Sequence, residues 1–221
     1  SVEEINHGFF SEKVLEAIEE RKTIILPVFS LGRSQEILLR LKELQDTNKL
    51  DVNIPIYFDG KLAQAYTALY CNSKILIDES KKDFFPRNLV AVNCEIREKL
   101  LQTDDCKIIV TTSGMGTYGP AQVYIPYFIS KENALILFTG YTAEGSFGAN
   151  LRNAEEGEIV KVGGLICKKF ADVSYCNEFS AHAKSEELIE LLKKFNNLRG
   201  VLINHGQTET KDAFAEKILK E

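Results

Sequence analysis

Two imidazoles in the last quarter of the chain are the residues best placed to do chemistry. His182 closes the stretch Phe179-Ser180-Ala181-His182, just beyond a strand-like run at residues 168–175. His205 follows the short apolar run Val201-Leu202-Ile203-Asn204 and precedes Gly206. Between them Leu188, Ile189, Leu191 and Leu192 form the stripe of an amphipathic helix. A strand–helix–strand unit with a parallel return puts both strand ends at one edge of a sheet. Open α/β sheets carry their chemistry at that edge, so the spacing predicts that His182 and His205 converge on one site. Imidazole there serves as a metal ligand or moves a proton near neutral pH. The one other histidine, His7, sits in a polar segment without a motif and reads as simply exposed. Two such residues cannot complete a multi-histidine metal centre alone.

Three strand-to-turn junctions add a second chemistry. After Phe29 come Ser30, Gly32 and Arg33; after Thr111 come Thr112, Ser113, Gly114 and Gly116; after Phe138 come Thr139, Gly140, Gly145 and Gly148. Glycines at the carboxyl ends of parallel strands let backbone N–H groups approach a ligand, and helix N-termini there favour anions. Arg33 adds a planar, bidentate donor suited to phosphate. Any one of these turns alone reads as an ordinary βα connection. Three at the same edge as two imidazoles point to a polyanion-binding cleft. Arg33 also has a structural alternative, in which its guanidinium ties the first turn to Glu36 or Asp59.

The elements that must position these turns alternate along the chain. A helix at about 10–20 leads into the continuous apolar run 23–29, the pattern of a strand buried on both faces. A helix carrying Ile37, Leu38, Leu39 and Leu41 follows, then a strand at 54–58, Asp59-Gly60 and a helix at about 62–70. Residues 80–88 are polar, contain Pro86 and read as a loop. A helix near 95–101, a strand at 107–111, a short helix from about 121 and strands at 134–138, 159–162 and 168–175 complete the order. This βαβ alternation predicts an α/β fold with a mainly parallel sheet flanked by helices.

Composition bounds the partners. A chain of 221 residues with 44% hydrophobic and 27% charged residues is ordinary for a soluble globular protein and can bury a substantial core. No apolar run approaches the ~20 residues of a membrane span. The five cysteines are odd in number and form no C-x-x-C pair, which predicts reduced thiols in a cytoplasmic protein. Cys176 has no neighbour at zinc-finger spacing and reads as packing rather than ligand. A net charge of −5 supplies no global field for nucleic acid, so any nucleic acid would bind in a local groove or with help from residues beyond these. Lys81-Lys82, Lys168-Lys169 and the acidic patch Glu155, Glu156 and Glu158 read as solvated surface.

With these residues in view, the chain resembles the β-CASP region of the metallo-β-lactamase-fold nucleases, the RNase J-like and 3′-end-processing endonucleases. Leu26-Pro27-Val28-Phe29-Ser30-Leu31-Gly32-Arg33-Ser34-Gln35-Glu36 resembles the family's P-x-F-x-x-G-R-x-Q-E. Thr112-Ser113-Gly114-Met115 resembles its S-G-M turn, and 139–148 its G-Y-x-x-x-G-x-x-G segment. Phe179-Ser180-Ala181-His182 looks like motif B, and His205-Gly206 like motif C. Five matches in the correct order cover almost the whole chain.

The resemblance implies a zinc-dependent ribonuclease with two metal ions in the intact enzyme. It implies His205 as a zinc ligand and His182 as the histidine that meets the scissile phosphate and assists proton transfer. Ser30, Gly32, Arg33, Ser113, Gly114 and Ser180 would then contact RNA phosphates. The family's H-x-H-x-D-H motif has no counterpart here, so the resemblance implies a C-terminal portion that lacks most metal ligands and is inactive alone. Residues 1–176 would be the β-CASP domain. Residues 177–221 would be the segment that completes a metallo-β-lactamase αββα layer. Its partners would be RNA, the upstream metallo-β-lactamase portion of the same protein and, as a homodimer, a second copy. Two departures stand out: Lys184 and Gln207 occupy positions that the family usually fills with acids. Either change would alter how a histidine is oriented. Two rivals remain open, a non-catalytic nucleic-acid- or nucleotide-binding subunit and a hydrolase of small molecules.

Overall fold

The computed structural model describes residues 8–72, 83–162, 164–179 and 183–220. In chain order the elements begin with α1 (Phe9–Glu19), β1 (Thr23–Pro27), α2 (Arg33–Asp46), β2 (Ile56–Asp59) and α3 (Lys61–Asn72). Next come β3 (Leu89–Ala91), α4 (Cys94–Leu100), β4 (Lys107–Thr111), α5 (Ala121–Phe128), β5 (Ala134–Phe138) and α6 (Phe147–Arg152). The last are β6 (Ile159–Val162), β7 (Leu165–Lys168), β8 (Asp172–Tyr175), α7 (Ser185–Leu192) and α8 (Thr208–Lys220). Six strands pair in the order β3-β2-β4-β1-β5-β8, and every pairing is parallel. The expected α/β fold is therefore the observed one.

The continuous apolar run from Thr23 and the expected strands at 107–111 and 134–138 became the three central strands, β1, β4 and β5. Every residue of β1, β4 and β5 is buried. A strand covered by helices on both faces has no solvent side, so it does not alternate. Ile24 and Leu26 face a layer with Phe10, Val14, Leu38 and Leu41, whereas Ile25 faces Tyr124, Ile125 and Phe128. The period of two along β1 thus feeds two separate cores, one under α1 and α2, the other under α5. Even the one charged member is accommodated. The Lys107 ammonium donates to the Thr103 carbonyl at 2.6 Å and the Asp105 carbonyl at 3.1 Å. Burial lowers its pKa from the ordinary lysine value.

Two expected strands are corrected. The run 168–175 is not one strand: β7 ends at Lys168 and β8 starts at Asp172. Phe170 and Ala171 both donate their N–H groups to the Ile129 carbonyl, at 2.8 and 3.0 Å, so the chain bends there instead of pairing. β7 belongs to an antiparallel hairpin with β6. The run 201–204 forms no strand, and Leu202 is 99% exposed. An apolar run becomes a strand only where a neighbour takes up its N–H and C=O groups, and no described residue does so here. The strand–helix–strand argument that brought His182 and His205 to one edge therefore loses its second strand.

The chain divides into two compact units, Ser1–Phe179 and Ser180–Glu221. The first holds the sheet. Within the second, Lys217 of α8 donates to Ser185 Oγ of α7 at 2.9 Å, while Leu191, Phe195 and Leu219 are exposed. No helix among the described residues is long and apolar enough to cross a membrane. Cys94, Cys106, Cys167 and Cys176 are free thiols.

Candidate functional site

The turns that leave β1, β4 and β5 stand side by side at the carboxyl edge of the sheet, since β1 lies between the other two and Pro27 is in register with Thr111. The structure thus brings together Ser30, Gly32, Arg33, Ser113 and Gly114 within one unit. In the β1 turn, Arg33 N–H donates to the Leu31 carbonyl at 3.0 Å around Gly32, whose φ is 77° and ψ −66°. That is a γ-turn of the strained hand, which glycine adopts without a Cβ clash. The turn is pinned from inside. Ser34 Oγ donates to the Phe29 carbonyl at 2.7 Å, and Gln35 Nε2 donates to Thr67 Oγ1 at 2.7 Å.

Glycine in the neighbouring turns has a different cause from the one expected. A Cβ on Gly114 would lie 3.0 Å from the Phe29 amide nitrogen and 3.1 Å from its ring; one on Gly140 would lie 3.0 Å from the same ring. Both positions are small because Phe29 wedges between them. The Ser113 turn is closed by Ser113 N–H donating to the Tyr118 carbonyl at 3.0 Å and Tyr118 N–H donating to Ser113 Oγ at 3.1 Å.

Arg33 points inward. Its side chain is 13% exposed, and Nε and Nη1 are shut off from solvent without an acceptor among the described residues. Its guanidinium carbon sits 5.3 Å from the centre of the Phe179 ring, and Glu36 is a distant partner at 3.7 Å. Burial lowers the guanidinium pKa from its ordinary value. The Asp59 alternative is excluded, because Asp59 is already engaged. Arg97 grips it with Nε–Oδ2 at 2.6 Å and Nη2–Oδ1 at 2.8 Å, and Tyr124 Oη donates to Oδ2 at 2.7 Å. The hydrogen bonds to Asp59 raise the Arg97 pKa, while burial first and Asp59 second raise that of Tyr124. This buried, satisfied cluster ties β2, α4 and α5 together beneath the edge. Sequence reasoning missed it, and only the Asp59-Gly60 pair at a strand end hinted at it.

The approach to the first histidine motif is held at three residues. Cys176 N–H donates to the Phe138 carbonyl at 2.8 Å, prolonging β8. The Glu178 carboxylate accepts from Gly8 N–H at 3.0 Å and Phe10 N–H at 3.4 Å, at the start of α1. Phe179 packs edge-on against Phe10, with ring centres 5.2 Å apart. Burial pushes the Cys176 thiol up to about 11, in keeping with a packing role. Ser180 and His182 lie outside the described residues, as do His7 and Lys81-Lys82. His205 is described: it is exposed, with φ 65°, and its N–H donates to Asn204 Oδ1 at 2.9 Å. Lys184 opens α7, its N–H donating to Glu187 Oε2 at 2.7 Å.

A zinc site needs several converging donors. Among the described residues no three of His, Cys, Asp and Glu converge, and the one described histidine is His205. One borderline nitrogen donor suits zinc, but it is one ligand of a site and not the site.

Comparison with known proteins places the chain. Residues 34–151 match the Beta-Casp domain, and residues 170–221 match the Zn-dependent metallo-hydrolase RNA specificity domain. An RNase J-like protein of Methanocaldococcus jannaschii is 35% identical over 95% of this chain and 49% of its own length. Transcription termination factor FttA of Methanococcus maripaludis is 30% identical over 90% of the chain and 33% of its own length. RNase aCSPSF2 of Saccharolobus solfataricus is 28% identical over 96% of the chain and 40% of its own length. The chain spans half or less of the length of these curated relatives.

Proposed function

Because the chain belongs to the β-CASP family of metallo-β-lactamase-fold nucleases, we propose that it is part of a zinc-dependent ribonuclease that hydrolyses RNA phosphodiester bonds. The single observation that carries the reading is the sheet edge where Ser30, Gly32, Ser113 and Gly114 stand on adjoining turns. Those groups, with Ser180, would hold RNA phosphates through hydroxyl and amide donors. His182 would move the proton at the scissile phosphate, a task that suits a side chain with an ordinary pKa near 6.5. His205 would be one zinc ligand, the others coming from the upstream metallo-β-lactamase portion of the same protein. Two zinc ions, when bound, would supply an activated water and a clamp on the phosphate. Residues 1–176 would be the β-CASP domain and 177–221 the returning segment of the metallo-β-lactamase domain, in a cytoplasmic enzyme. The inward burial of Arg33 favours a scaffold role for it over direct phosphate contact.

The test is cleavage of end-labelled single-stranded RNA by the intact protein, before and after chelation and zinc replacement. Cleavage lost to the chelator and restored by zinc is the expected result. Tight RNA binding without cleavage under any metal condition would support the rival reading, a non-catalytic subunit of the same fold.

A further inference from the structure

We propose that Tyr118 and Tyr141 form a two-ring platform on which bases of single-stranded RNA stack, beside the phosphate-contacting turns. The proposal rests on the ribonuclease reading and adds to it what holds the bases. Of the eight tyrosines in the chain these two alone are exposed, at 73% and 65%. Both stand at the same edge: Tyr118 on the turn after β4, Tyr141 on the turn after β5, with β1 between those strands. Two interstrand spacings separate the strand ends by roughly 10 Å. At ~3.4 Å per stacked nucleotide that distance is the length of about three bases.

Each ring rises from a backbone that packing holds still. Tyr118 is bonded through both its N–H and its carbonyl to Ser113. The next residue, Gly119, has φ +67°, and a Cβ there would lie 2.8 Å from the Thr112 carbonyl oxygen. Tyr141 stands between Gly140, packed on the Phe29 ring, and Thr142, buried under Gly148. A ring on a fixed mount loses little freedom when a flat ligand settles on it, so most of the stacking attraction survives as affinity. Ser113 joins the two chemistries, because the residue assigned to phosphate also anchors the backbone of Tyr118. Leu31, exposed on the intervening turn, offers apolar surface for a ribose or a base edge. The rings rise from turns that also carry Ser113, Gly114, Gly119 and Gly140. Stacking on bases suits that arrangement, since every base has a flat face.

The experiment titrates the intact protein, held under chelator, with single-stranded oligoribonucleotides and with abasic ribose-phosphate oligomers of equal length, at two salt concentrations. Wild type should prefer the base-bearing oligomer. Tyr118→Ala and Tyr141→Ala should each weaken that binding roughly tenfold while affinity for the abasic oligomer and the salt slope stay unchanged. Tyr118→Phe and Tyr141→Phe should keep the preference, because the ring face carries it. Equal wild-type affinity for the two oligomers, or alanine variants that bind base-bearing RNA as wild type does, would overturn the platform alone. A drop in melting temperature with RNA affinity retained would assign the rings to a contact within the protein and overturn it likewise. Wild type that binds neither oligomer would overturn the ribonuclease reading together with the platform.

Discussion

Arg33 shows how far a single residue can be read before its surroundings are known. Its type and position at a turn fit phosphate, and the same type at the same position fits a scaffold. Only burial separates the two, and burial depends on Phe179, 146 positions further along the chain. With Nε and Nη1 closed to solvent and the guanidinium over that ring, Arg33→Ala in the intact protein should leave the salt slope of RNA binding unchanged. It should destabilise the fold by about 1–3 kcal/mol, a fall of several degrees in melting temperature. RNA titrations at three salt concentrations beside thermal melts read both effects, and a slope reduced by roughly 0.7 would return Arg33 to the phosphate. The histidines divide differently. The resemblance gave His205 a metal role and His182 a proton role, so His205→Ala should lower zinc content and activity together, while His182→Ala lowers activity with zinc retained. Equal zinc loss in the two variants would refute that division. The Asp59–Arg97–Tyr124 cluster was out of reach of the sequence, because its members lie on three elements and no periodicity links them.

At the scale of elements, what was legible was what hydrophobic runs encode. The strands at 107–111 and 134–138 fall where the runs place them, since a run long enough to cross a sheet has few other uses; the strand at 159–162 also falls in place, but in the separate hairpin. The failures have a common cause, which is that pairing is not written in the run itself. The stretch 168–175 is apolar enough for one strand, yet the Ile129 carbonyl captures two of its amides and bends it. The stretch 201–204 has the composition of a strand and no described neighbour to pair with. The short edge strand β3 and the helix α6 left too faint a pattern to be read. The turn glycines carry a prediction at this scale. Gly114→Ala would press a methyl group against the Phe29 backbone at 3.0 Å, where no side-chain rotation relieves it. It should cost about 1–3 kcal/mol. Gly145→Thr would not test the same packing, since that site is open in space and strained only in φ. Denaturant melts of Gly114→Ala against wild type decide the point, and an unchanged midpoint would mean that Phe29 does not fix the edge.

At the scale of the whole molecule, the first unit has a full core on both faces of its sheet, and the second leaves Leu191, Phe195, Leu202 and Leu219 in solvent. Exposed apolar side chains of this kind are what a covering protein surface would bury. That fits the proposal that residues 177–221 return to a metallo-β-lactamase domain contributed by another part of the protein. The order of the motifs is what carries that proposal, because five motifs in family order say more than any one of them. The metal centre stayed illegible, since one histidine in the described residues cannot specify where the other ligands come from. The most direct measurement compares zinc content and RNA cleavage for the intact protein and for the isolated 221-residue chain. The account predicts two tightly held zinc ions and RNA cleavage for the intact protein, and neither for the isolated chain. Two tightly bound zinc ions and cleavage by the isolated chain would contradict it, as would an intact protein that holds no zinc and leaves RNA uncut.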